Sequence, residues 1–315
     1  MGLSRYEFEI LCYLEQEGKG QYPVRQISDT LLLSGTIVSE NLEQLQKKGF
    51  LKINEKELEI SAEGLDALEP YRVKRAIILA AGFGSRMMPA TADRPKPMVS
   101  VNGKRIIDTL LDALEGAGIT DITIVGGYRY DKLKELQAKY PTLQLIENKD
   151  YAVTNNISSA MLVLDKLQDG CYLCEADLYI TNPKLITKYQ HASNILGAYS
   201  VETDDWCFKM SDGYIEDYRK GNTHCYNYYG ISYWTAEDCA KLRRDFARTF
   251  SEGEEGKNYF WEFIPLVLCK NNYQVELRPC ERRDIMEIDN FYELVQLDAS
   301  YGKDYSEGSL VNEVL

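Results

Sequence analysis

Apolar residues in the first part of the chain recur at helical spacing and then switch to alternation. In residues 5–17, Phe8, Ile10, Leu11 and Leu14 fall among glutamates, which predicts a helix ending at Gly18 and Gly20. Residues 24–32 predict a second short helix. Ser34-Gly35 opens a third, with Ile37, Val38, Leu42 and Leu45 on one side and Gly49 closing it. Phe50-Leu51-Lys52-Ile53, a turn at 54–56 and Leu58-Glu59-Ile60 then read as a β-hairpin. A boundary follows at Pro70-Tyr71-Arg72, and beyond it the pattern changes. Ala76-Ile77-Ile78-Leu79-Ala80 is the continuous apolar run expected of a parallel strand covered on both faces. Helices near 106–117, 132–139 and 158–167 alternate with strands at 121–125, 143–146 and 171–174. This βα repeat predicts an α/β fold with a doubly wound, mostly parallel sheet of Rossmann-like form, whose ligands bind at the C-terminal strand edges. The expected organisation is a helix-rich domain over residues 1–72, a second domain over 73–300 and a C-terminal tail over 301–315, where a further domain would attach.

At 315 residues, with 44% hydrophobic and 27% charged positions, the chain is long enough for two such cores and contains no apolar run of membrane-spanning length. Its acidic N-terminus lacks the basic start and apolar stretch of a signal peptide, so a soluble, cytoplasmic protein is expected. Of eight cysteines only Cys171 and Cys174 are spaced C-x-x-C; on an alternating strand those thiols point to opposite faces, which disfavours zinc or redox chemistry. The net charge of −13 disfavours binding to a phosphate backbone and leaves a cationic small molecule as the better-matched partner. The same balance holds locally, with eight Lys and Arg against thirteen Asp and Glu in residues 1–72.

The clearest chemical signal is Leu79-Ala80-Ala81-Gly82-Phe83-Gly84-Ser85-Arg86, with Arg94-Pro95-Lys96-Pro97 close behind. Glycines after a strand let backbone N–H groups approach a phosphate chain, and Arg86 and Lys96 add positive charge. The run is neither the dinucleotide fingerprint, which fails at Met87, nor a Walker loop. Taken together, these segments resemble the signature of the nucleotidyltransferase family that includes sugar-phosphate pyrophosphorylases and bacterial phosphocholine cytidylyltransferases, over residues 74–297. The resemblance implies that the Gly loop wraps the triphosphate and that Arg86 and Lys96 neutralise it. It also implies that Asp177, after Leu173-Cys174-Glu175-Ala176, and Asp289, in Glu287-Ile288-Asp289, hold Mg²⁺. Asp177 alone would read as a turn residue and Asp289 as a helix cap. Base and ribose contacts are expected from Tyr151, Asn155, Asn156 and Ser158, and nucleotide contact also from Gly127 and Tyr128, although Asn and Ser at a helix start are equally ordinary caps.

Residues 200–265 are dense in aromatics and hold all three tryptophans. Ring faces can enclose a quaternary ammonium, although most of these rings must be core. Similarity to the choline-specific relatives singles out Asp205-Trp206 and Phe260-Trp261-Glu262 as the acceptor cage, and the aromatic cluster adds Tyr228. The expected reaction is therefore Mg²⁺-dependent transfer from CTP to phosphocholine, giving CDP-choline and pyrophosphate. One alternative is a sugar-1-phosphate nucleotidyltransferase. The other is a nucleotide-sensing transcription regulator, because residues 3–70 resemble the winged-helix modules of the MarR type. Glu40 and Glu43 make the third helix a poor DNA reader, so packing, regulation or homodimer formation is the expected role of that domain.

Overall fold

The computed structural model describes residues 2–54 and 57–302, and the chain divides into two compact units. Parts of the expected turn at 54–56 and most of the expected tail, residues 303–315, lie outside the described residues.

The first unit comprises residues 1–73 together with Tyr189–His191, a return segment that the sequence pattern did not reveal. Helices α1 (Arg5–Glu17), α2 (Val24–Leu31) and α3 (Gly35–Lys47) precede the antiparallel pair β1 (Leu51–Asn54) and β2 (Glu57–Ile60), and α4 (Ala62–Leu68) closes it. Ser4 caps α1 in a capping box with Glu7, while Ser34 and Ser61 cap α3 and α4, so these three helices begin where a hydroxyl can take up a free N–H. The apolar faces meet in a core that includes Ile10, Leu14, Ile27, Val38 and Leu45.

The second unit is built on a seven-stranded sheet. Its strands are β3 (Arg75–Ala80), β6 (Asp121–Gly126), β7 (Gln144–Glu147), β8 (Cys171–Glu175), β10 (Asn194–Ser211), β11 (Tyr214–Trp234) and β12 (Glu276–Pro279), in the order β10-β12-β11-β8-β3-β6-β7. The β8-β3-β6-β7 half is wholly parallel, as the continuous apolar runs predict, and the fold is a mixed α/β one with a mostly parallel central sheet. Helices α5 (Ile106–Gly116), α6 (Tyr130–Leu133) and α7 (Ile157–Met161) provide the crossovers, the latter two much shorter than the spacing predicts because each passes into a tight 3₁₀ turn. Short strands β4 (Ser100–Val101) and β5 (Lys104–Arg105) form a small hairpin, and β9 (Leu178–Ile180) pairs antiparallel with β13 (Ile285–Glu287). Helices α8 (Ala236–Phe250), α9 (Glu254–Lys257) and α10 (Phe291–Leu297) complete the unit. No helix among the described residues is long and apolar enough to cross a membrane.

Candidate active site

Strand β3 ends in the Gly loop. Gly84 has φ +62°, and a Cβ there would stand 2.9 Å from Lys96 Cβ, so the loop can lie against the Lys96 segment only without a side chain. Gly82 faces open space, leaving room for a phosphate chain. Residues from Leu79 to Arg86 line a cavity of about 550 Å³, as do Lys96, Asp177 and Asp289. Its position at the C-terminal ends of β3 and β8 is where a doubly wound sheet presents ligands.

The acidic centre is assembled by the β9–β13 ladder. Leu178 pairs with Glu287, which brings Asp177, just before β9, beside the end of β13 and Asp289. One oxygen from each of Asp177, Glu287 and Asp289 lies within 4.8 Å of the others. The Oδ1 of Asp177 is buried and without a hydrogen-bond partner. Three converging carboxylates with an orphaned oxygen are the hard, anionic donor set that Mg²⁺ prefers, so the residues present fit that ion. Lys96 bridges the same carboxylates, donating over 2.9 Å to Asp177 and 3.2 Å to Asp289, and Arg86 lies 3.1 Å from Asp289. Burial alone would lower the Lys96 pKa, but the Asp177 and Asp289 charges outweigh it and hold the ammonium above its ordinary value.

The opposite end of the cavity is aromatic and acidic. Trp206 stacks on Tyr218 with centroids 5.1 Å apart and planes at 14°, Tyr228 meets Tyr218 edge-on at 5.4 Å, and Phe260 lies 6.2 Å from Trp206. Glu262 is 4% exposed; desolvation raises its pKa to about 7 against the hydrogen bonding around it. Its Oε2 and the Tyr228 hydroxyl are both buried and unpartnered. Glu175 is also pushed well above the carboxylate range, first by desolvation and then by Glu262 and Asp177.

Four expectations are corrected by this geometry. Trp261 is fully buried between Trp234 and Phe246, with centroids 6.2 and 6.3 Å away, so it is core and forms no cage wall. Gly127 does not line the cavity: a Cβ there would lie 2.6 Å from the Tyr151 ring and 2.7 Å from the Ala81 carbonyl, so its role is close packing behind the Gly loop. Tyr128 turns away from the cavity and donates its hydroxyl to the Thr91 and Ala92 carbonyls. Ser158 is buried, accepting from the Asn148 amide at 2.9 Å and donating to the Asn155 carbonyl at 2.8 Å, while its neighbour Ser159 reaches the lining. Asn155, Asn156 and Tyr151 do line the cavity. The two amides also tie that wall together, Asn155 donating to the Asn258 carbonyl and Asn156 accepting from the Trp261 backbone N–H.

Sequence reasoning missed Glu175, Tyr218, Lys220 and the convergence of Glu287 with Asp177 and Asp289. Period-two alternation was the available signal: Glu175 stands two before Asp177, Glu287 two before Asp289, and Tyr218 two before Lys220.

Residues 76–213 match the MobA-like NTP transferase domain. Over 234 residues the chain is 37% identical to the 2-aminoethylphosphonate cytidylyltransferase of Lancefieldella rimae, an alignment that covers 72% of this chain and 92% of that protein. It is 28% identical to the choline-phosphate cytidylyltransferase of Haemophilus influenzae, over 70% of this chain and 96% of the relative. The solved CTP:phosphocholine cytidylyltransferase of Streptococcus pneumoniae superposes with a TM-score of 0.67 at 29% identity, over 73% of this chain and 99% of that one.

Proposed function

This chain belongs to the MobA-like nucleotidyltransferases, among the cytidylyltransferases, and from that premise we propose that it transfers CMP from CTP to the anionic end of a small acceptor whose far end is a primary ammonium. 2-Aminoethylphosphonate fits best. The observation that carries this reading is the pair of buried, unpartnered oxygens, Tyr228 Oη and Glu262 Oε2, in the aromatic end of the cavity. A buried acceptor left unsatisfied costs about 1–3 kcal/mol. A primary ammonium brings three donors to such oxygens, whereas a quaternary ammonium brings none. The stacked faces of Trp206 and Tyr218 favour a second reading, phosphocholine, since ring faces attract any cation.

The reaction follows from the layout. An oxygen of the acceptor's phosphonate or phosphate already carries charge and needs no strong base. It attacks the α-phosphorus of CTP, the bond from that phosphorus to the bridging oxygen breaks, and pyrophosphate leaves with the electron pair. Gly82 leaves room for the triphosphate, Gly84 lets the loop lie against Lys96, and Arg86 and Lys96 offer it their charge. Asp177, Glu287 and Asp289 would hold Mg²⁺, which supplies charge neutralisation where the phosphates meet. The aromatic end fixes the acceptor for in-line approach.

Pyrophosphate release from CTP with 2-aminoethylphosphonate, phosphoethanolamine, phosphocholine and a sugar 1-phosphate tests the proposal. The two primary ammonium acceptors should exceed phosphocholine in kcat/KM by about tenfold, the scale of one satisfied buried acceptor. A tenfold preference for phosphocholine would establish the second reading, and a preference for the sugar phosphate would defeat both. Glu262→Gln should raise the acceptor KM by about tenfold or more while the CTP KM holds.

A further inference from the structure

Six carboxylates line the cavity, Glu175, Asp177, Asp205, Glu262, Glu287 and Asp289, against three cations, Arg86, Lys96 and Lys220. Into this acidic space the enzyme must bring two anions, the triphosphate and the acceptor's phosphonate or phosphate. Lys96 is held between Asp177 and Asp289, and Arg86 is paired with Asp289 beside the Gly loop, so both belong to the nucleotide and metal end. Lys220 stands apart from them. It lies on β11 two residues from Tyr218, on the same face of the strand, and is registered directly opposite Trp206 of β10. It therefore flanks the stacked Trp206–Tyr218 pair that walls the acceptor end. It is an exposed residue of the cavity lining, and its flexible stem carries three donors.

We propose that Lys220 is the cation that captures the anionic group of the acceptor, making it the specificity-determining residue that favours zwitterions over simple amines by binding the end that amines lack. The same acidic lining that welcomes an ammonium would otherwise repel the acceptor's other end, and a bare amine would compete for the aromatic pocket. Lys220 gives the zwitterion a second point of attachment in the cavity that Glu262 also lines. This inference rests on the reading of the acceptor as a small molecule with an anionic end and a cationic end.

The test uses Lys220→Met, which keeps the stem and removes the charge, and Lys220→Arg, which restores the charge. Each is assayed in the full chain with CTP and whichever of the four acceptors wild type uses best. Lys220→Met should raise the acceptor KM by about tenfold or more, leave the CTP KM within about twofold, and flatten the salt dependence of kcat/KM for the acceptor. Lys220→Arg should recover most of the loss. Competitive inhibition by ethanolamine, which has the ammonium and no anionic group, should be unchanged in both variants. The proposal is overturned if the CTP KM rises while the acceptor KM holds, which would assign Lys220 to the triphosphate. Equal weakening of acceptor and ethanolamine would also overturn it, by making Lys220 a structural prop of the aromatic wall. A wrong choice of acceptor class shows in the wild-type ranking, whereas a wrong role for Lys220 shows in the ratio of variant to wild type for one acceptor.

Discussion

At the scale of single residues, the site is organised by carboxylates that differ in what surrounds them. Asp177 and Asp289 share the Lys96 ammonium, at 2.9 and 3.2 Å. Asp177→Asn and Asp289→Asn each remove one formal charge at constant volume; we expect kcat to fall by about 10² or more with the melting temperature within a few degrees of wild type. Near-normal turnover of either variant at millimolar Mg²⁺ would reject the assignment. Glu262 is the opposite case. Desolvation raises its pKa to about 7, above the unfolded value, so the neutral form is favoured in the fold and the stability it brings is lost as pH rises through 7. Binding has the reverse sign, because the ionised carboxylate attracts an ammonium that stays charged to about pH 10. The acceptor KM should therefore fall between pH 6 and 8, and Glu262→Gln should remove that part of the dependence, leaving only the acceptor's own ionisation. Identical pH profiles for the two proteins would sink the role of Glu262. The glycine and cation motifs singled out in the sequence lie together in the lining of one cavity. Trp261 did not announce its burial, because Phe260-Trp261-Glu262 sends alternate side chains to different surroundings, with Trp261 at 0% exposure and Phe260 at 41%.

Among the elements, what could be read from the sequence follows the strength of the apolar pattern. The strands β3, β6 and β8 were legible because burial on both faces demands continuous apolar runs. The long strands β10 and β11 were not, since buried, half-buried and exposed positions mix along them and bulges interrupt their register. The pairing of β9 with β13, three residues each and more than a hundred positions apart, carries no local signal, yet it brings the carboxylates of Asp177, Glu287 and Asp289 together. The Gly loop gives a test at this level. Tyr128 donates its backbone N–H to the Ala81 carbonyl at 3.2 Å, and Gly127 lets the two segments touch. Gly127→Ala must push either the Tyr151 ring or the Ala81 backbone, and overpacking of this kind costs about 1–3 kcal/mol. We expect the CTP KM to rise by about fivefold or more with the acceptor KM much less affected, read from initial-rate kinetics. An unchanged CTP KM in a folded variant would mean that the loop is not positioned from behind.

For the molecule as a whole, the residues named for catalysis and substrate binding all lie in the second unit, between Leu79 and Asp289. The first unit is completed by a return of the chain. His191 stacks on Tyr71 at 5.3 Å and 8°, Phe8 packs on both rings at 5.2 and 5.1 Å, and Arg72 sits over Tyr189 with a 3.1 Å hydrogen bond to its hydroxyl. The chain thus passes between the units three times, at 73–74, 188–189 and 191–192. We read the first unit as a winged-helix module that serves packing or regulation; on α3, Lys47 is tied to Glu43 at 2.8 Å, which weakens any basic face. If so, stability and catalysis are separable. Phe8 is 8% exposed at the centre of the aromatic group, and truncating a buried Phe typically costs about 3–5 kcal/mol. Phe8→Ala should lower the first unit's unfolding transition in calorimetry and open residues 1–73 to proteolysis, because the His191 and Tyr71 rings lose their shared partner. At a temperature where the second unit stays folded, kcat and both KM values should remain within about twofold of wild type. A parallel loss of turnover in the intact, folded variant would mean that the first unit supports the active site through its stability, and the separation would fail.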